Sequence, residues 1–105
     1  MSVIYIVKWT IRPEKAEEYP SWVQNAISKV LSVPGVKEFR AYRIAAGAHN
    51  QASSTYEFEN MESWASWYSN EVTQKALEEL HNYASHITME LWSPSPLIPE
   101  PIRPG

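Results

Sequence analysis

The sequence predicts an α+β fold in which strands and helices follow one another as β-α-β-β-α-β. Runs rich in β-branched and aromatic residues alternate with longer segments whose apolar residues recur at helical spacing. The two helical segments also begin alike: residues 14–22 (EKAEEYPSW) and 59–67 (ENMESWASW) align without a gap and share four residues. Two half-units of one fold would place these helices in equivalent positions. Chance is the alternative explanation, since Glu and Ser are common at helix starts.

The first half of the chain contains a strand, a helix and a second strand. Residues 3–11 end at Arg12-Pro13 and are typical of a strand buried on both faces. A helix is predicted over residues 14–33, in which Pro20 is expected to cause a kink or to delay the regular start. Pro34-Gly35 ends it, and residues 36–45 alternate charged and apolar side chains as a strand. The apolar stripe of the helix consists of Ala16, Tyr19, Val23, Ala26, Ile27, Val30 and Leu31.

The second half repeats this order after a loop over residues 46–51. Residues 53–58 are predicted to form a strand, and Asn60 is placed to cap the helix that carries the sequence WASWY. A break near Ser69-Asn70 leads to a further helical run, and residues 87–92 form the last strand. The resulting order is the split arrangement of ferredoxin-like folds. One face of the later helical run carries Val72, Ala76, Leu77, Leu80 and Ala84.

Composition excludes several classes of protein. With 105 residues, 44% of them hydrophobic, the chain is expected to form one soluble domain. Its net charge of −3 with mixed signs argues against a nucleic-acid partner, and the absence of cysteine excludes disulfides and thiolate chemistry. No apolar run approaches the ~18 residues of a membrane span, and the start lacks the pattern of a secretion signal, so no membrane partner and a cytoplasmic location are predicted. The histidines and glutamates form no i, i+4 ligand pair, so no metal site is expected.

Three segments resemble the antibiotic-biosynthesis monooxygenase superfamily: IRPEKAEEYPSW, VPGVKEFRAYR and TYEFENMESWASWYSNEVTQKALEEL. The resemblance covers residues 3–92 and implies a ferredoxin-like subunit that pairs into a dimeric α+β barrel, with a small-molecule cavity in each subunit. The function it implies first is cofactor-independent oxygenation of an electron-rich aromatic molecule such as a quinol or polycyclic phenol. The superfamily also includes other activities, so a haem-binding or haem-degrading protein, a polyketide-type cyclase and a non-catalytic small-molecule-binding protein are the alternatives.

The same resemblance implies the substrate-binding residues. Trp67 falls where relatives carry His or Trp facing the cavity, so it is expected to line the cavity and stack on the substrate. Val7 and Leu77 occupy the positions at which haem-degrading relatives place an Asn and an axial His, and they are the other predicted substrate contacts. Met61, Trp64 and Tyr68 are expected in the core. The simpler alternative is that all three aromatic rings of WASWY are only packed.

Two histidines are the candidate catalytic residues. His81 lies one turn beyond Leu77, and His86 stands at the start of the last strand. Either would take the phenolic proton of the substrate, because histidine titrates near neutral pH. His81 is also the candidate haem ligand. A solvated helix-end histidine and a structural strand-end histidine are the respective alternatives.

The strand pattern predicts how subunits associate. If Val3, Tyr5, Val7 and Trp9 face the helices, the opposite sheet face mixes large apolar side chains with charges, which suits neither water nor a dry core. A homodimer would cover it; a solvated face is the alternative. Residues 1–92 are therefore assigned to the barrel domain, and residues 93–105, with five prolines, to an extended tail that either straps the partner or is a free end. The mixed face comprises Ile4, Ile6, Lys8, Thr10, Glu38, Arg40, Tyr42, Thr55, Glu57, Thr88, Glu90 and Trp92.

Overall fold

A computed structural model of the chain describes residues 2–47 and 50–105 and confirms the predicted fold class. Four strands form one sheet in the order β2-β3-β1-β4, and every neighbouring pair is antiparallel. Residues 48 and 49 of the predicted loop, and with them His49, lie outside the described residues. The elements are β1 (Val3–Ile11), α1 (Tyr19–Ser32), β2 (Glu38–Arg43), β3 (Ala52–Phe58), α2 (Met61–Ser69), α3 (Glu71–Tyr83) and β4 (Ala84–Trp92).

The helix boundaries follow from prolines and asparagines. A 3₁₀ turn at Pro13–Lys15 precedes α1, which begins only at Tyr19 because Pro20 belongs in the first helical turn, where no backbone N–H is needed. The delayed start expected from this proline is thus confirmed. Asn60 caps α2 by accepting a hydrogen bond from the Ser63 amide at 2.8 Å. Asn70 caps α3 in the same way, 2.9 Å from the Val72 amide, and so produces the predicted break.

The core lies between the helices and one face of the sheet. Val3, Tyr5, Val7 and Trp9 are buried there, as their alternation predicts, and Trp64 and Tyr68 pack against this core. Three predicted core positions are wrong. Met61 is 53% exposed in the first turn of α2, and Leu31 and Val72 lie at the edges of their helical stripes, 39% and 41% exposed. Thr73, fully buried, takes the inward position expected of Val72.

The opposite face of the sheet is open in the single chain, as the strand parity predicts. On this face of β1, Ile6 is buried at 4% exposed whereas Ile4 is 38% exposed, so the expectation that this strand is buried on both faces holds only in part in the single chain. The open face is lined by Ile4, Ile6, Lys8, Glu38, Arg40, Tyr42, Ser53, Thr55, Glu57 and Trp92. The tail at residues 93–105 forms no helix or strand, and its side chains Leu97, Ile98 and Ile102 are exposed. None of the helices in the described part of the chain is long and apolar enough to cross a membrane.

Candidate functional site

A small apolar groove lies between α1, α3 and the sheet, with a cavity volume of about 40 Å³. Short side chains leave this space, since Ala26 on α1, Ala76 on α3 and Ser54 on β3 face it among larger neighbours. The groove is therefore built by the packing of two helices on two strands. Its walls are Val7, Trp9, Trp22, Val23, Ala26, Ile27, Val30, Ser54, Tyr56, Ala76, Leu77 and Leu80.

Trp22 forms one wall of the groove, and its own contacts are partly exposed to solvent. Its indole N–H donates to Glu79 Oε1 at 3.2 Å, and its ring stacks on Tyr83 with 4.5 Å between ring centres and 15° between planes. Lys15 Nζ lies 5.5 Å from the centre of the Tyr83 ring. Trp22 itself is half-buried on the first turns of α1. Water can compete for a hydrogen bond at such a partly buried position, so this bond contributes less than a fully buried one would.

The floor of the groove carries one pair of hydroxyl groups. Ser54 and Tyr56 point from β3 towards the helices and are 3% and 7% exposed. The Ser54 hydroxyl hydrogen-bonds the Tyr56 hydroxyl at 3.3 Å. Burial raises the pKa of Tyr56 above its ordinary value, so the phenol is neutral at physiological pH. Tyr56 is the ionisable side chain among the described groove residues, and it is present as a proton donor rather than a base.

The structure brings Val7 and Leu77 together as groove walls but leaves Trp67 out. Trp67 is 1% exposed and packs against Tyr56 and Phe58, with ring centres 4.9 and 5.0 Å away. The expected position of Trp67 on a cavity wall is therefore not found; the ring belongs to the core.

A hydrogen bond explains why Trp67 turns inward. Its indole N–H donates to the Val30 carbonyl oxygen at 2.8 Å. This carbonyl lies in the last turn of α1, and the residue four positions later is Pro34, which has no N–H to offer. The indole supplies the missing donor, and the ring is fixed beneath the end of α1.

Neither described histidine lines the groove. His81 is exposed at the end of α3, where its ring Nδ1 lies 3.2 Å from the Leu77 carbonyl oxygen. Its own carbonyl oxygen accepts from Arg12 Nε at 3.3 Å. In residues 2–47 and 50–105, no three His, Cys, Asp or Glu side chains are grouped to hold a metal ion. The catalytic roles assigned to His81 and His86 therefore stay predictions, without support from proximity to the groove.

His86 occupies a β-bulge in β4. Lys8 faces Thr88 and Thr10 faces Ser85, so His86 and Ile87 together stand opposite Trp9. The backbone of His86 is left-handed, with φ of 53°, a conformation that costs a non-glycine residue about 1–2 kcal/mol. Asn50 Nδ2 donates to the His86 carbonyl oxygen at 2.7 Å. This bond crosses the end of β1 and helps to hold the bulge.

Sequence reasoning missed Trp22, Ser54 and Tyr56. The signal for Trp22 was present, because the aligned segments 14–22 and 59–67 both end in tryptophan. That alignment indicates two equivalent rings but not which one reaches a cavity. Ser54 and Tyr56 carry no motif, and only the burial of their strand brings the two hydroxyls together.

Comparison with solved structures shows that the fold is shared with several proteins. A dabb family protein with a ferredoxin-like fold from Mesorhizobium loti has a TM-score of 0.80 at 11% identity, over 90% of this chain and 97% of that chain. SnoaB, a cofactor-independent oxygenase from Streptomyces nogalater, has a TM-score of 0.71 at 13% identity, over 94% and 98%. A dimeric protein of unknown function with a ferredoxin-like fold from Bacteroides fragilis has a TM-score of 0.68 at 13% identity, over 87% and 94%.

At these identities the likeness establishes the fold alone. No curated protein matches the sequence. A family model does match, over residues 2–90, which is most of the chain. The chain belongs to the family described as Domain of unknown function (DUF4286).

Proposed function

We propose that this chain is a subunit of a homodimeric α+β barrel that binds a small aromatic molecule in the groove between α1, α3 and the sheet. We propose further that it oxygenates this molecule without a cofactor, as a distant member of the antibiotic-biosynthesis monooxygenase superfamily. The observation that carries the proposal is the groove itself, whose walls are apolar and aromatic around a single buried hydroxyl pair. Such a combination is typical of small-molecule sites, where a few polar groups fix the orientation of an apolar ligand.

The groove must open before a ring can enter. Its volume of about 40 Å³ holds water-sized molecules, whereas a cavity of about 150 Å³ accommodates benzene. Trp22 is the wall residue best suited to move, since it is half-buried and is held by one hydrogen bond and one stacked ring. Rotation of Trp22 out of the groove would add the space of its own indole to the groove. The ligand would then take the place of that ring between the helices.

Oxygenation without a cofactor requires few catalytic groups from the protein beyond this groove. An electron-rich phenol reduces dioxygen itself once it has lost its proton; one oxygen atom enters the product as a carbonyl and the other leaves as water, with all four electrons supplied by the substrate. SnoaB shares this fold and is described as a cofactor-independent oxygenase, which supports proposing oxygenation before the other activities. The proton would pass to water at the groove mouth or to His81 or His86, which lie outside the groove.

Two measurements test the proposal in sequence. Addition of 1,4-dihydroxynaphthalene to ¹⁵N-labelled protein should shift the indole N–H signals of Trp9 and Trp22, which line the groove, and leave that of Trp92 in place. Oxygen uptake should then exceed the rate of spontaneous oxidation of the same quinol. Binding without added oxygen uptake would reject the oxygenase and retain the binding protein. A shifted Soret band with hemin, with no response to quinols, would favour the haem-binding alternative instead.

The dimer would form through the open sheet face. Tyr42 and Trp92 are 49% and 52% exposed there, beside an exposed ion pair between Arg40 and Glu38 at 2.9 Å. Large aromatic side chains are favoured at protein interfaces, and a second copy of the same face would remove them from water. The Bacteroides fragilis protein, which shares this fold, is described as dimeric, and this supports a dimer. We propose that the tail at residues 93–105 extends the contact by laying Leu97, Ile98 and Ile102 on the partner.

A further inference from the structure

We infer that Ser54 and Tyr56 form a binding site for one oxygen atom of the ligand, so that the groove selects uncharged aromatic molecules that carry a carbonyl or phenolic oxygen on the edge of the ring. This inference rests on the proposed function, because it assumes that the groove takes an aromatic ligand. It adds the chemical class and the residues that recognise it.

One of the two hydroxyl hydrogens of Ser54 and Tyr56 is not used in the bond between them. Ser54 and Tyr56 together carry two O–H groups, and the single bond between them uses one of these hydrogens. Both residues are nine-tenths buried or more, and both face the groove. A buried hydroxyl hydrogen without an acceptor costs stability, so the pair is arranged to donate to an oxygen that enters the groove.

The surrounding walls determine what else the ligand can be. The other described groove residues are aliphatic or tryptophan side chains, and the indole N–H groups of Trp9 and Trp22 are already bonded to Tyr19 and Glu79. A charged ligand would therefore lose its hydration without finding a counter-charge, which is costly. An uncharged ring with one oxygen finds apolar contact everywhere and a donor at one point.

The protonation of Tyr56 agrees with a donor role. Burial raises the pKa of its phenol, so it keeps its proton at any physiological pH. A donor at the ligand oxygen also lowers the cost of ionising a bound phenol, so the phenol enters uncharged and reacts as its phenolate in the proposed function. Tyr56 would thus assist ionisation of the substrate without acting as a base.

The test compares two ligands of the same shape, 1-tetralone and tetralin, which differ by one carbonyl oxygen. Their dissociation constants are measured from the Trp9 and Trp22 indole signals in wild-type protein and in the double variant Ser54→Ala/Tyr56→Phe. Both substitutions keep the side-chain shape and remove both partners of the bond together, so the variant is expected to fold. Circular dichroism checks this. The preference for tetralone over tetralin should fall by about tenfold, because a factor of this size corresponds to the loss of one hydrogen bond.

Tyr5→Phe is the matched control, because Tyr5 is a buried tyrosine on the adjacent strand, directly opposite Tyr56, that does not line the groove. It should leave the preference unchanged. An unchanged preference in the double variant would overturn the oxygen-binding role of Ser54 and Tyr56 while groove binding stands. Failure of both ligands to shift the Trp9 and Trp22 signals would overturn the proposed function and this inference with it.

Discussion

Replacing Trp67 and Trp22 by alanine should damage different properties of the protein. Trp67 is 1% exposed, so its loss should cost about 3–5 kcal/mol, the usual range for deleting a buried aromatic ring. The Val30 carbonyl would also lose its indole donor, which adds about 1–3 kcal/mol if water cannot reach it. The total approaches the whole stability of a domain of this size, about 5–15 kcal/mol.

Trp22→Ala should cost less and should alter binding. The half-buried indole loses one stacked ring, worth about 0.5–1.5 kcal/mol, and one partly exposed hydrogen bond to Glu79. These two contacts together are worth about 1–2 kcal/mol, to which the loss of the apolar area buried by a half-buried ring is added. The groove becomes larger and permanently open, so 1,4-dihydroxynaphthalene should associate faster than with wild type. Because the wall no longer has to move, bulkier tricyclic phenols should bind as well.

The assay is urea denaturation followed by far-ultraviolet circular dichroism, which does not depend on the tryptophan that is removed. Trp67→Phe is the companion variant if Trp67→Ala does not fold, because it keeps a ring in the core and removes the bond to Val30. Stopped-flow quenching gives the association rates. Equal losses of stability in the two alanine variants would refute the assignment of Trp67 to the core and Trp22 to a movable wall. An unchanged association rate in Trp22→Ala would refute the role of Trp22 as a movable wall and leave the assignment of Trp67 to the core in place.

Three further predictions concern assembly and pH. Sedimentation at micromolar concentration should show a dimer held by the open sheet face, and a clean monomer would contradict that interface. Deletion of residues 95–105 should lower the melting temperature, since it exposes apolar surface on the partner; no change would identify the tail as a free end. Burial raises the pKa of Tyr5, Tyr19 and Tyr56 above the ordinary 10.0, so the unfolded chain releases these protons first and the free energy of unfolding should fall above about pH 10. Urea curves at pH 8 and pH 11 measure this fall, and Tyr5→Phe should reduce it; an equal fall in that variant would contradict the role of Tyr5.

The strands and caps were predictable because they follow from local chemistry. Residues 3–11 form β1 with the predicted bounds, since β-branched and aromatic side chains favour a strand and Arg12-Pro13 ends it. Asn60 and Asn70 set the starts of α2 and α3 through their own side chains. In each case the decisive contact lies within a few residues of the signal.

The groove was only partly predictable because its shape depends on distant partners. Val7 and Leu77 were expected at the site from family resemblance, and both line the groove. Met61 fits an apolar stripe by spacing, yet it is 53% exposed in the first turn of α2. Spacing gives the direction of a side chain on its helix, whereas burial depends on what packs opposite.

The two aligned tryptophans show how one sequence signal leads to two roles. Trp22 and Trp67 end the same nine-residue pattern, but the fold gives them different neighbours: Trp22 on α1 meets α3 at Glu79 and Tyr83, and Trp67 on α2 meets the end of α1 at Val30. The carbonyl of Val30 needs a donor because Pro34 cannot supply one, so the proline that ends α1 is also the reason that Trp67 is a core residue. No equivalent demand acts on Trp22, whose indole bonds a partly exposed carboxylate that water can satisfy equally well. The ring without an obligatory partner is therefore the one free to move for a ligand.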